Sequence, residues 1–380
     1  MQIGVLSGRD LCALILQRLG YQPFCQIISV AGTNGKGTSC HLLAEYLQKT
    51  GHHVGLFTSP HLLEFNERIV IDGRKVTEEE LALARAKIRA VQGDLELGYF
   101  QEAFLAAILI FQSAKVDVMI LEVGIGGRLD AVNSVDADYA LITTIALDHT
   151  ELLGPDRESI GLEKAGILRA HQQAVCGDIA PPHSLCDYAK RVGARLLIRG
   201  RDFDLSQISA YPEAHIPRQN VLAVWQLLQL WPQPFDGGVF AKCLQHLHVP
   251  GRMQLIGTEP DILIDVAHNP HAAGYLADYL RAHPVSGKNF AVFSALKEKD
   301  IAAVCKVLHG LIDHWFLVEL DSPRAASFGQ LHQALTGEIY TDFASMIALN
   351  QTLKKVKKTD RVIVFGSFVL VGLFLECHNQ

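Results

Sequence analysis

From Phe24 onward the chain repeats one unit: a short apolar run, a polar or glycine-rich bend, then a stretch with apolar residues at helical spacing. "FCQIISV" (24–30) ends in a glycine loop, and "TSCHLLAEYLQKTG" (38–51) follows with helical periodicity and a terminal glycine. "HVGLF" (53–57), "VDVMILEVG" (116–124) and "DYALITTIAL" (138–147) are further strand-like runs. "TEEELALARAKIRAVQG" (77–93) opens on a capping threonine with acids and closes on glycine, which predicts a helix. Strands that alternate with helices must cross over to pair, so the pattern predicts an α/β fold with a doubly wound, mainly parallel sheet. The pattern weakens over 178–215 and restarts after "VPGRMQ" (249–254), with "DILIDVA", "NFAVFSA", "HWFLVEL" and "RVIVFGS" each leading into a helical stretch. The expected organisation is a P-loop-type domain over 1–250 and a smaller, Rossmann-like α/β domain over 251–380, with the boundary at Pro250-Gly251.

With 380 residues, 49% hydrophobic and 19% charged, the chain can bury two ordinary cores. Its net charge is −6, and the densest basic run, Lys354-Lys355-Val356-Lys357-Lys358, reads as a solvated helix end, so no nucleic-acid partner is expected. Eight scattered cysteines form no C-x-x-C and read as free thiols in a reducing compartment. The start lacks the pattern of a signal peptide, and the apolar run "VIVFGSFVLVGLFL" is short and interrupted, so a cytoplasmic protein without a membrane segment is expected.

In open α/β sheets ligands gather past the carboxyl ends of the strands. Four consecutive strand ends here carry polar, acidic or glycine-rich residues: Gly32-Thr33-Asn34-Gly35-Lys36-Gly37-Thr38, Thr58-Ser59-Pro60-His61, Glu122 to Arg128, and Asp148-His149-Thr150. The first departs from G-x-x-x-x-G-K-[ST], because Gly37 separates Lys36 from the hydroxyl of Thr38. It still holds what a phosphate needs: glycines that let N–H groups turn inward, a helix start, a lysine and a hydroxyl for Mg²⁺. Ser59 and Glu122 offer hard oxygens to magnesium from adjacent strand ends, and His149 is the candidate third ligand. His52-His53, His61, His268 and His271 lack partners at zinc-ligand spacing, and "VGIGGRLD" does not match a dinucleotide fingerprint.

The atypical loop resembles that of the Mur ligase superfamily, the ATP-dependent acid–amino acid ligases. Within it, the chain is most similar to the folylpolyglutamate synthase family in its bifunctional form with dihydrofolate synthase. The resemblance rests on "VAGTNGKGT" (30–38), "SPHL" (59–62), "NERI" (66–69), "LEVGIGGRLDAVN" (121–133), "IALDHTELLGPDRESIGLEKAGI" (145–167), "PGRMQ" (250–254), "DVAHNPHA" (265–272) and "FGSF" (365–368), in the family's order. It implies that Asn34, Gly35, Lys36, Gly37 and Thr38 hold ATP, with Asn220, Arg252 and Asp265. It implies two Mg²⁺ sites served by Ser59, Glu122 and His149, and a carbamylated Lys164; Lys36, Lys164 and His149 would be the catalytic set. It places the pterin against Gly98, Tyr99, Phe100 and Gln101 and against Leu129, Asp130 and Ala131.

The implied reaction moves the γ-phosphate of ATP to a pterin carboxylate, and the amine of L-glutamate then displaces phosphate. ATP and acceptor would meet between the domains of a monomer, using dihydropteroate or a reduced folate. The chain begins inside the family pattern, and Gly98-Tyr99-Phe100-Gln101 stands where the family has T-Y-F-E. The alternative expectation is therefore folylpolyglutamate synthesis alone, with weakened use of dihydropteroate. A cell-wall ligase would need an additional UDP-binding domain, and Lys36, Glu122, His149 and Lys164 argue against a non-catalytic ATP-binding module.

Overall fold

A computed structural model describes residues 6–213 and 215–378. The chain divides into two compact units, Met1–Leu247 and His248–Gln380.

The strands of the first unit are β1 (Gln26–Ala31), β2 (Val54–Phe57), β3 (Ile69–Ile71), β4 (Arg74–Lys75), β5 (Val118–Glu122), β6 (Tyr139–Ile142), β7 (Gln173–Cys176) and β8 (Arg195–Ile198). They form one sheet in the order β4-β3-β2-β5-β1-β6-β7-β8. The six strands from β2 to β8 in that order run parallel. β3 and β4 form an antiparallel edge. A parallel sheet needs both faces covered, and its central strands are accordingly mostly apolar and buried, with Ser29 and Glu122 as buried polar exceptions. The helix Tyr99–Ala114 is buried over most of its circumference and wedges Phe104 and Phe111 into this core. A side chain at Gly55 of β2 would stand 2.7 Å from the Phe111 ring, so the strand keeps a glycine there for space.

In the second unit β9 (Gln254–Thr258), β10 (Asp261–Ile264), β11 (Asn289–Phe293), β12 (His314–Val318), β13 (Tyr340–Phe343) and β14 (Arg361–Phe365) make a six-stranded sheet in the order β13-β12-β11-β14-β10-β9. Only β9 among these runs antiparallel to its neighbour. Trp315, Phe293 and Phe365 interlock at its centre, with ring centroids 4.9 to 5.9 Å apart. No helix among the described residues is long and apolar enough to cross a membrane.

The α/β character read from the alternation holds in both units, and three details differ. β6 stops at Ile142, five residues before the apolar run ends, because Thr143 to Ala146 turn their hydrogen bonds to the glycine loop instead of a neighbouring strand. The helix after that loop begins at Lys36, with Gly35 as its N-cap, two residues earlier than its periodicity indicates. The weakly patterned stretch over 178–215 holds a regular helix, His183–Val192, and β8; its alternation is blurred because β8 is an edge strand with little to bury. The β3–β4 hairpin turns at Asp72-Gly73, both at positive φ, as a two-residue hairpin turn requires.

Candidate active site

The glycine loop leaves β1 at the centre of the sheet and is tied down by the segment that follows β6. Thr33 N–H donates to the Thr144 carbonyl at 2.7 Å, and the Thr33 hydroxyl donates to the Ala146 carbonyl at 3.1 Å. The Asn34 carbonyl accepts from both Thr143 Oγ1 (2.7 Å) and Thr144 Oγ1 (3.2 Å). Gly35 then turns through φ +84°, the left-handed region, and starts the helix Lys36–Lys49. A Cβ on Gly35 would lie 2.2 Å from Asn220 Nδ2, so the buried Asn220 packs directly beneath the turn. The result is a rigid loop at a fourteen-residue helix's positive end, a geometry suited to phosphate.

Two lysines converge on one carbonyl of this loop. Lys36 Nζ donates to the Gly32 carbonyl at 3.0 Å and to the Thr33 carbonyl at 3.3 Å. Lys164 Nζ donates to the same Gly32 carbonyl at 2.9 Å. Lys164 is buried on the helix Arg157–Ala165, and burial, followed by the charge of Lys36, lowers its pKa to about 7 despite the opposing pull of Asp148 and Asp130. A Cβ on Gly127 would lie 2.7 Å from the Glu163 carbonyl, so the glycines of "GIGGRL" allow that loop to lie against the helix carrying Lys164. Arg128 and Glu163 reinforce the contact at 2.7 Å.

Glu122, at the end of β5, is buried, and its Oε2 accepts the Ser59 N–H at 2.9 Å. This puts a carboxylate and a hydroxyl-bearing residue side by side, hard-oxygen chemistry that suits Mg²⁺, an ion that readily keeps waters in its shell. His149 lies past β6, which is two strands from β5 in the sheet order. It is held at φ +50°, an uncommon conformation for a residue other than glycine, and its N–H donates to Asp148 Oδ1 at 2.9 Å. Among the described residues no three histidine, cysteine or acidic side chains gather as a ready-made metal cluster.

The expected acceptor residues fall in two places. Gly98 caps the helix Tyr99–Ala114 without a side-chain bond, and the Gln101 amide folds back so close that a Cβ on Gly98 would meet its Oε1 at 2.4 Å. Tyr99 is 55% exposed and Phe100 packs against Phe57 and beneath Gly124. Leu129 is 45% exposed, while Asp130 turns inward to accept Ile125 N–H (3.1 Å) and Val132 N–H (3.0 Å); burial pushes its pKa up to about 6. Ala131 follows in a buried short helical turn, Ala131–Ser134.

In the second unit Asp265 is buried at the end of β10, where it accepts Met253 N–H at 2.8 Å and Ala267 N–H at 2.7 Å; burial raises its pKa. Arg252 lies over the Phe368 ring, 4.8 Å from its centroid.

Four residues carry no signal of their own in the sequence. Thr143 and Thr144 sit inside a strand-like run, yet they hold the glycine loop. Arg157 bridges the Ile145 carbonyl (2.9 Å) and Asp178 (3.0 Å), whose carboxylate also accepts Ile145 N–H, and so braces the segment leading to His149. Arg68, within "NERI", is buried beside His61. No periodicity marks such residues; the pairing of β6 with β1, for instance, is what puts the two threonines against the loop.

Comparison with known proteins follows the same lines. The family model for the Mur ligase middle domain matches residues 30–179, and that for the Mur ligase glutamate ligase domain matches residues 251–368. The dihydrofolate synthase/folylpolyglutamate synthase of Escherichia coli K12 is 38% identical over 97% of this chain and 90% of its own length. That of Haemophilus influenzae is 36% identical over 97% of the chain and 92% of its own length. Among solved structures, E. coli FolC in complex with DHPP and ADP superposes with a TM-score of 0.94 at 36% identity, covering 100% of this chain and 95% of that one. The Yersinia pestis bifunctional enzyme complexed with AMPPNP and Mn gives a TM-score of 0.93 at 38% identity, with the same coverage. In sequence over nearly its full length, in both domain models and in fold, the chain belongs to the dihydrofolate synthase/folylpolyglutamate synthase family of the Mur ligases.

Proposed function

We propose that this protein is an ATP-dependent ligase that joins L-glutamate to the carboxylate of dihydropteroate and of reduced folates through an acyl phosphate. The observation that carries the reading is the convergence of Lys36 and Lys164 on the Gly32 carbonyl, at the end of a helix whose first turn is free of acidic residues. There Lys36 supplies positive charge where a transferring phosphoryl group would need it, and Lys164, with a pKa of about 7, is poised for modification beside it. The relatives support the substrates: one solved structure holds DHPP and ADP, and another holds Mn, AMPPNP and L-glutamate.

In this reading the first unit binds ATP and the second is the ligase domain, corresponding to 1–250 and 251–380. Asn34 to Thr38 receive the phosphates on main-chain N–H groups, and Asn220 sets the turn. Arg252 and Asp265 are further nucleotide-binding residues by the family resemblance. Ser59, Glu122 and His149 would hold magnesium in two sites, which supplies charge neutralisation between ATP and the carboxylate. Lys36 swings from the Gly32 carbonyl to the terminal phosphates, and attack by the carboxylate oxygen on the γ-phosphorus releases ADP. The glutamate amine then attacks the acyl carbon, and phosphate leaves. Tyr99, Phe100, Leu129 and Asp130 border the acceptor.

Lys164 is carbamylated in this reading. Its neutral amine adds to CO2 and releases a proton, turning a buried cation into a carboxylate; burial and a pKa near 7 make the neutral form accessible. The enzyme works as a monomer in a reducing, cytoplasmic setting, which its eight free cysteines support. The deciding experiment is ATP-dependent ligation of radiolabelled glutamate to dihydropteroate and to tetrahydrofolate, side by side. Incorporation with neither acceptor would overturn the assignment; incorporation with tetrahydrofolate alone would restrict it to folylpolyglutamate synthesis.

A further inference from the structure

Arg68 is 7% exposed, and its guanidinium is held by neutral groups. Its Nε donates to His61 Nδ1 at 2.8 Å, and its Cζ lies 5.1 Å from the Tyr99 ring centroid and 6.0 Å from that of Phe65. A guanidinium can only donate, so His61 accepts through Nδ1 and its remaining proton sits on Nε2. The carboxylate nearest in sequence, Glu67, is committed elsewhere: it takes the N–H groups of Leu62, Leu63 and Glu64 and faces Lys75 at 3.7 Å. No carboxylate among the described residues lies within ion-pair distance of Arg68. Burial accordingly pulls its pKa below the usual arginine value, against the opposing influence of the Tyr99 hydroxyl, which shares a side-chain hydrogen bond with it, and of the carboxylates of Glu122 and Glu67. Enclosing a cation without an ion-pair partner is costly, and fold stability alone gains nothing from it.

The position of Arg68 indicates what completes it. Its carbonyl accepts Thr58 N–H at 3.0 Å, so it stands at the same sheet edge as Ser59, at the carboxyl end of β2. The order β3-β2-β5-β1 places Arg68, Ser59, Glu122 and the phosphate loop in succession along that edge. At the usual strand spacing the β3 end is about 14 Å from the β1 end, so Arg68 lies on the far side of Glu122 from the loop. His61, Phe65 and Tyr99 form an aromatic wall beside it, with ring centroids 5.3 to 6.5 Å apart. A flat aromatic ring bearing a carboxylate matches this pair of features: the wall takes the ring and the fork takes the anion.

We propose that Arg68, oriented by His61, binds the reacting carboxylate of the acceptor and presents it to the Ser59–Glu122 corner. The inference rests on the ligase reading above and adds a substrate-binding residue to it. Arg68 does not touch the nucleotide.

The test is a cycle between protein and ligand, read by calorimetric titration in the presence of ADP and Mg²⁺. Dihydropteroate and its neutral carboxamide are titrated into the wild type and into Arg68→Met, which keeps the volume of the side chain. The wild type should prefer the carboxylate by roughly ten- to a hundredfold, the worth of a buried charge-assisted pair. Arg68→Met should erase that preference while binding the carboxamide and ADP as the wild type does. Arg68→Lys, which keeps the charge without the planar fork, should retain part of the preference, and it carries the decision if Arg68→Met does not fold. An undiminished preference in the variants overturns the proposal. So does an equal loss for both ligands, which marks a structural role, or a loss confined to ADP. A wild type that binds ADP but neither acceptor overturns the ligase reading itself, and this inference with it.

Discussion

Around the glycine loop the groups proposed to face a ligand are main-chain atoms locked by short-range geometry: Gly35 at φ +84°, Asn34 and Thr33 stitched to residues 143–146, and a helix start. Around Arg68 they are side chains: a guanidinium, an imidazole and two aromatic rings carried on a four-residue turn, the loop before it and a glycine-capped helix. Phosphates are alike in every ATP, so a backbone cradle can be rigid and general. Acceptors differ in size and tail, and side chains on loops can be exchanged without disturbing the sheet.

The comparison breaks most easily at Lys36. Lys36→Ala should lower the ligation rate on the order of 10²–10³-fold or more, because it removes the cation proposed to act on the transferring phosphoryl group. Circular dichroism should be unchanged, since only bonds within the loop are lost. Near-normal turnover would mean that phosphate is held elsewhere.

On the proposed carbamylation, Lys164→Ala should be nearly as damaging and partly rescued by a small added carboxylate. In the wild type, bicarbonate should matter more as pH falls below about 7, where the amine becomes protonated and cannot add CO2. The stability linkage has the same origin. An unmodified Lys164 is neutral when folded above about 7, while the unfolded chain keeps its proton to about 10.4. Unfolding therefore takes up a proton in that window, and stability without CO2 should rise from about pH 7 to about pH 10. Lys164→Met should flatten this rise in chemical-denaturation curves; an unchanged slope would count against a perturbed lysine.

A third change separates backbone from side chain within the loop corner. Gly35→Ala adds a Cβ at a left-handed residue and 2.2 Å from Asn220 Nδ2. It should raise the KM for ATP about tenfold or more and cost about 1–2 kcal/mol in stability. Asn220→Ala in the same chain should recover only the part due to the clash. Full recovery would mean that the turn itself carries no strain.

The smallest effect belongs to the acceptor corner. Gly98→Thr with Gln101→Glu should rebuild a capping box at the start of the helix Tyr99–Ala114, worth about 0.5–1 kcal/mol in thermal unfolding. If dihydropteroate binding improves without added stability, these positions act by touching the acceptor; stability without a change in binding assigns them to the helix.

Local chemistry runs along the chain and is legible in the order of residues alone. Apolar runs and helical spacing announce both α/β units, and Gly32 to Thr38 announce a phosphate loop from residues adjacent in sequence. Glu122 stands out because an acid ending an apolar strand is locally unusual. The brace of Thr143, Thr144, Arg157 and Asp178 has no such mark, since each contact joins segments far apart in sequence that only strand pairing brings together. Lys164 and Asn220 are recognisable only through resemblance, because a lysine or asparagine in a helical stretch looks solvated until its burial is known.

By itself the sequence determined the fold class, the order of the elements and the kind of chemistry at the sheet edge, because periodicity, glycine and charge act over a few residues. The tertiary structure alone decided which cations are buried and what they face. Lys164 meets the Gly32 carbonyl across 132 residues, and Arg68 is enclosed by rings that include Tyr99, the first residue of a distant helix. Desolvation depends on everything packed around a group, and that surrounding exists only once the parallel strands have paired.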